Sequence, residues 1–193
     1  MLRDIGVFLG RYLRQPSVIG AIVPSSRHLA ASMLKDLDLP QARAVIEYGP
    51  GTGSFTAGIL PQLDPAAKYF AVEIDPVMAD KWQARFPEHK VHVESAGKVA
   101  ELCRAEGIDQ VDVIVSGLPW ALFPEALQLE ILEATARVLR PGGVFVTFGH
   151  HVTAWLPKGR RFHRRLPEYF SQVTRGRIVW RNAPPAFVIR CVR

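Results

Sequence analysis

Residues 47–56 read EYGPGTGSFT, from Glu47 through Gly49, Gly51 and Gly53 to Thr56. The apolar Ala44-Val45-Ile46 leads into them, and a helical pattern covers about 53–62. Glycine at 49, 51 and 53 lets the backbone turn tightly and approach a ligand with no side chain between. At the junction of a first strand and a first helix, such a loop places a ligand outside the carboxyl end of a sheet. A purely structural turn could use the same three glycines.

The surroundings place the loop at such a junction. Strand-like runs occur at 44–48, 69–74, 90–93, 111–116 and 144–149, with helical patterns between them at about 76–86, 97–106 and 124–139. Strands alternating with helices imply a parallel sheet covered on both faces, and the near-continuous apolar strands agree. "RPGG" at 140–143 is a helix stop signal. Residues 173–181 and 186–192, separated by "NAPP" at 182–185, read as a closing antiparallel hairpin. Residues 1–40 read as two helices joined by "PSVIGAIVPSS". We divide the chain into an N-terminal amphipathic segment, 1–24, and one α/β domain, 25–193.

With 48% hydrophobic and 22% charged residues the chain can bury a substantial core. Cys103 and Cys191 lie far apart, in no metal-like spacing, so neither a disulfide framework nor a metal site is implied, and a reducing cytosol is the default. The net charge of +6 points to an anionic partner, nucleic acid or lipid surface. No uncharged apolar run approaches the ~20 residues that span a bilayer.

Glu73 and Asp75 end the second strand in "AVEIDP", where an acidic side chain can accept both hydroxyls of a ribose. A dinucleotide fingerprint would need glycine at position 54, where this chain has Ser54, and would leave Glu47 unexplained. A carboxylate repels pyrophosphate but pairs with an ammonium, so a phosphate-free ligand suits this loop better. The pattern E-x-G-x-G-x-G followed by a strand-end Glu resembles the class I S-adenosylmethionine-dependent methyltransferases, over roughly residues 40–150. The resemblance implies a single Rossmann-like α/β domain with a seven-stranded, mostly parallel sheet whose last strand is antiparallel. It implies S-adenosylmethionine as cofactor, with Glu47, Gly49, Gly51 and Gly53 at the methionine half and Glu73 at the ribose. Ser95 and Ala96 would flank the adenine, and Ser116 would close the cofactor site.

In that fold "SGLPW", residues 116–120, lies where the methyl is delivered, and it resembles the N/D/S-x-P-aromatic signature of enzymes that methylate amino nitrogen. Proline fixes φ and donates no backbone hydrogen bond, so nearby carbonyls, that of Leu118 included, can be aimed at an N–H. Trp120 offers a π-face for a cation, worth roughly 0.5–2 kcal/mol when desolvated. Leu118 and Trp120 are thus the candidate catalytic pair, and a Pro-terminated strand with a core tryptophan is the plainer alternative. Methyl transfer is an in-line displacement helped mainly by alignment, and burial lowers an ammonium pKa, so no dedicated base is expected.

Two amine-methylating classes fit the signature: phospholipid N-methyltransferases of bacteria and ribosomal-RNA adenine dimethyltransferases. Ser116-Gly117 in place of asparagine argues against the RNA class. At about 100° per residue, Leu2, Ile5, Phe8, Leu9, Tyr12 and Leu13 share one face, opposite Arg3, Asp4, Arg11 and Arg14. Such a helix lies in a membrane interface or packs on its own domain. "GAIVPSS" at 20–26 and "VWRNAPPAFVIR" at 179–190 also resemble the phospholipid enzymes, which extends the likeness over nearly the whole chain. The implied function is stepwise methylation of phosphatidylethanolamine toward phosphatidylcholine by a cytoplasmic protein peripheral to the inner membrane surface. An RNA adenine N6-methyltransferase and a non-catalytic lipid- or cofactor-binding module are the alternatives.

"PKGRRFHRR" at 157–165 carries five Lys/Arg that suit an anionic leaflet, RNA phosphate or a solvated face. Candidates for the lipid phosphate are Ser25 and Ser26, which open a helix and either cap it or offer its free N–H groups to an anion, and Arg181. His150 and His151 end the fifth strand near the site, where structural hydrogen bonding is favoured over service as a base.

Overall fold

The protein is described as a computed structural model over residues 25–193, so the segment 1–24, with its amphipathic helix, lies outside the described residues. Seven strands form one sheet: β1 (Ala44–Tyr48), β2 (Lys68–Glu73), β3 (Lys90–Val93), β4 (Val111–Ser116), β5 (Leu139–His150), β6 (Gln172–Val179) and β7 (Ala186–Val192). Their order is β3-β2-β1-β4-β5-β7-β6. Strands β1 to β5 run parallel, and β7 is antiparallel to both β5 and β6. Strand order reverses at the β1–β4 neighbour pair, where the carboxyl ends open the crevice that such sheets use for ligands. The two loops singled out above leave β1 and β4 at that crevice.

Among the described residues six α-helices cover the faces: α1 (Arg27–Leu34), α2 (Thr56–Ile59), α3 (Pro76–Arg85), α4 (Val99–Ala105), α5 (Glu125–Val138) and α6 (Pro157–Arg165). Successive strand side chains point to opposite faces. Ile46, Tyr48, Phe70, Ile114 and Phe145 meet Val99, Cys103, Ile131 and Phe162 of α4, α5 and α6 on one face. Val45, Val113, Val115 and Val146 meet Leu29 and Met33 of α1 and Ile59 of α2 on the other. On that second face Trp82 of α3 stacks on Tyr69 at 6.4 Å. Because both faces are covered, all five residues of β1 are buried, which is why the strands read as continuous apolar runs.

Local chemistry sets the ends. Ser26 caps α1 by accepting from the Leu29 N–H at 3.2 Å. Asp75 caps α3, with Pro76 at its first position, by accepting from Val77 and Met78. The helix expected over about 53–62 has one α-turn, after which Leu60–Gln62 tightens to 3-10 geometry around Pro61. β5 starts at Leu139, not at 144: "RPGG" stops α5 and then runs on as extended chain. There the β4–β5 register shifts between Val111 and Val113, Gly142 takes φ +75°, and Arg140 pairs with Asp112 at 2.5 Å. The basic stretch 157–165 is a helix, α6.

Candidate active site

The glycine loop and "SGLPW" are in backbone contact. The Gly117 N–H donates to Tyr48 O at 2.7 Å, and a Cβ at Gly117 would lie 2.5 Å from Gly49 O. A Cβ at Gly49 would lie 2.9 Å from Leu118 Cδ2. Gly49, Gly51 and Gly53 have φ +60°, +53° and +80°, left-handed conformations that side chains disfavour. Beside Gly51 the space is open, since an added Cβ would meet nothing nearer than Met78 Cε at 3.9 Å.

Glu47 lies under this loop, fully buried. Its Oε2 accepts from Thr56 Oγ1 at 2.7 Å and from the Tyr69 hydroxyl at 2.6 Å, and Trp82 Nε1 donates in turn to Thr56 Oγ1 at 2.8 Å. Oε1 has no partner among the described residues. Burial, only partly opposed by the two hydroxyls, pushes the Glu47 carboxyl up to about 7. Glu73 closes the loop from the end of β2, its Oε2 accepting from the Gly51 N–H at 3.3 Å and its Oε1 from the Asp75 N–H at 3.1 Å. Burial raises its pKa as well. A carboxylate has about four lone-pair positions, so both of these acids keep acceptor capacity. Ser95 caps the 3-10 turn Ala96–Lys98 by accepting from the Gly97 N–H at 3.2 Å, and Ala96 is buried behind it.

At the end of β4 the main chain is pinned from β5. Trp120 Nε1 donates to Thr147 Oγ1 at 3.0 Å, and the Thr147 hydroxyl donates to Ser116 O at 3.1 Å. Ser116 Oγ accepts from the Leu118 N–H at 3.3 Å, and Leu118 O accepts from the Trp120 N–H at 3.0 Å. Trp120 is 2% exposed. Phe162 stacks on its ring at 4.5 Å, and Phe145 meets it edge-on at 5.9 Å. The sequence reading gave Trp120 an open π-face; α6, which that reading did not foresee, lays Phe162 on the ring instead.

The substrate-side candidates also come together. The Ser26 N–H donates to Asn182 Oδ1 at 2.9 Å, which joins the start of α1 to the turn that carries exposed Arg181. The Ser26 hydroxyl is spent on the cap, and Ser25 is half-buried beside it. His150 Nδ1 lies 3.3 Å from Pro184 O, and burial lowers its pKa. Thr56, Tyr69, Thr147, Phe162 and Asn182 escaped the sequence reading. Each acts on a partner nine or more residues away, Tyr69 and Thr147 across strands, and no local pattern marks such a residue.

The residues fit S-adenosylmethionine: a buried carboxyl with an uncommitted oxygen suits an ammonium, a strand-end carboxylate suits a ribose diol, and the glycines leave room between them. A family model described as "Methyltransferase domain" matches residues 45–143. The sequence is 32% identical to an ornithine lipid N-methyltransferase of Singulisphaera acidiphila over 195 residues, 98% of this chain and 96% of that one. The fold resembles an O-methyltransferase from Bacillus cereus in complex with SAH at TM-score 0.66 and 14% identity, covering 100% of this chain and 90% of that one. It also resembles TrmN from Thermus thermophilus at TM-score 0.63 and 16% identity, covering 95% of this chain but only 53% of TrmN.

Proposed function

This chain belongs to the class I S-adenosylmethionine-dependent methyltransferases, and from that premise we propose that it methylates the amine of a membrane lipid, phosphatidylethanolamine, stepwise toward phosphatidylcholine. The near-full-length similarity to a lipid N-methyltransferase carries the choice of a lipid amine. The same relative favours a second head group, the amino group of an ornithine lipid. No helix among the described residues is long and apolar enough to cross a membrane; the amphipathic pattern of residues 1–14 in the sequence suits contact with a lipid surface.

S-adenosylmethionine, when bound, supplies a methyl group activated on a sulfonium sulfur. Glu47 and the loop of Gly49, Gly51 and Gly53 hold its methionine half, Glu73 its ribose, and Ser95 with Ala96 its adenine. Ser116 closes the cofactor site, and Leu118 presents its carbonyl to the acceptor N–H and so aligns the amine, which is most of what an in-line displacement needs. Trp120 is a positioning residue: through Thr147 it fixes the Ser116 carbonyl. Burial lowers the pKa of an ammonium, so the acceptor loses its proton to water. Ser25 and Arg181, brought to one end of the sheet by the Ser26–Asn182 hydrogen bond, are the proposed contacts for the lipid phosphate; Ser26 itself is committed to that bond and to the helix cap.

Incubation with methyl-labelled S-adenosylmethionine tests this, with vesicles of phosphatidylethanolamine, vesicles of ornithine lipid and undermodified ribosomal RNA in parallel. Label in phosphatidylethanolamine is expected. Label in ornithine lipid alone moves the head group and keeps the lipid amine, whereas label in RNA alone overturns the substrate class. Deletion of residues 1–14 is expected to abolish vesicle sedimentation and leave cofactor affinity unchanged; retained sedimentation refutes the interfacial helix.

A further inference from the structure

The arginines of α6 fall into two sets. On the flank towards α5, Arg161 pairs with Glu125 at 2.8 Å, and Arg165 pairs with Glu125 and Glu168, both at 3.1 Å. Arg160 and Arg164 lie on the side towards β6, and among the described residues neither has a carboxylate within ion-pair distance. These two line a groove of about 530 Å³ with Arg175 of β6, which is likewise unpaired. The floor is apolar: Ala154, Val173 and Ile189. His163 completes the wall; burial, then the charge of Arg175, lowers its pKa. Next to His163 in the chain, Phe162 stacks on Trp120, so the groove is one helix away from the methyl-transfer loop.

We infer that this groove is a discrete site for an anionic lipid, with Arg160, Arg164 and Arg175 holding the phosphate and an acyl chain lying on Ala154, Val173 and Ile189. Three guanidiniums without a carboxylate partner among the described residues line one groove, where an anion gains from charge-assisted hydrogen bonds. An apolar floor beneath them is matched by a ligand with both an acid and a hydrocarbon chain. Nucleic acid fits less well. Single strands bind through stacking on aromatic faces, and among the described side chains the ring under Arg175, Phe187, is buried, with the guanidinium 3.6 Å above it. The site deepens the lipid reading above and rests on it for its biological sense, but binding is measured without methyl transfer, so each can fail alone.

The test uses the full chain and monomeric dihexanoyl phosphatidylglycerol, titrated by calorimetry beside glycerol phosphate, dihexanoyl phosphatidylcholine and a single-stranded RNA oligonucleotide. The phosphatidylglycerol is expected to bind most tightly. Arg160→Gln/Arg164→Gln is expected to weaken it about thirtyfold, the effect of two positive charges near an anionic head group. Arg161→Gln/Arg165→Gln removes the same charge from the same helix and is expected to change it less than about twofold, as those guanidiniums are already paired. Equal losses in the two variants mean a diffuse field and overturn the site. Equal affinity for glycerol phosphate and the lipid makes it a free-anion site, and tighter, competing oligonucleotide makes it a nucleic-acid site; either result overturns the proposal. Unaltered cofactor affinity in both variants verifies that they fold.

Discussion

A fully buried carboxyl group with an uncommitted oxygen is costly to ionise, and Glu47 is such a group. Its pKa is about 7 in the folded protein against an ordinary 4.5. Between those values the folded state keeps a proton that the unfolded chain releases, so stability falls as pH rises from about 4.5 through 7 and is flat above. The total is about 3 kcal/mol, at 1.36 kcal/mol per pKa unit. Glu47→Gln keeps an acceptor for Thr56 and Tyr69 and removes the titration. Denaturant unfolding from pH 4 to 8 should therefore show the variant gaining about that much on the parent as pH rises. Glu73, also raised, slopes the same way in both proteins and cancels. A cofactor ammonium beside Glu47 favours the carboxylate, so S-adenosylmethionine affinity should rise through pH 7 in the parent and less in the variant. Parallel pH profiles would contradict the assignment. Glu47 was legible as a candidate from its place two residues before the first glycine. Its buried state was not, because Tyr69 approaches from a neighbouring strand 22 residues away.

Among the elements, α6 shows what periodicity can and cannot report. The strands stood out because a parallel sheet covered on both faces needs unbroken apolar runs, and β1, β4 and β7 begin and end where those runs do. In 157–165 only Gly159 and Phe162 are buried, too few to mark a helix against five positive charges. Contacts settle it: Phe162 on Trp120, and Gln128 Nε2, which donates to Trp120 O at 2.7 Å and to Lys158 O at 3.4 Å. The same helix changes the reading of "SGLPW", since its tryptophan is a buried strut and not an open face. Phe162→Ala should cost about 3–5 kcal/mol of stability, whereas Phe162→Leu should cost less than about 1.5 kcal/mol. At temperatures where both remain folded, turnover should fall more than S-adenosylmethionine affinity, because α6 supports the β4 loop and touches none of the glycines. Equal loss of both in the leucine variant would show that α6 acts on global stability alone.

Across the whole molecule the two cysteines sit far apart in one core. Cys103 lies in α4, and Cys191 lies in β7 near the opposite edge of the sheet, paired with Phe145 of β5 and Val173 of β6. Both are free and buried, and burial pushes the thiols up to about 11 and about 12. A thiol reagent at pH 8 therefore meets almost no thiolate in the folded state and reacts through opening. β7 is hydrogen-bonded on both sides and its Cys191 belongs to the same core cluster as Trp120, so the hairpin should open only with the rest of the domain. Both cysteines should then be labelled at one rate, and S-adenosylmethionine at a hundredfold over its Kd should slow both about 100-fold, by mass action on the folded state. Mass spectrometry of each cysteine peptide over time measures this. Faster labelling of Cys191 that ignores the cofactor would make β6–β7 a separate folding unit, one that could rearrange around a lipid without disturbing the cofactor half. Equal, cofactor-sensitive rates tie the lipid groove on β6 and α6 to the glycine loop through one cooperative sheet.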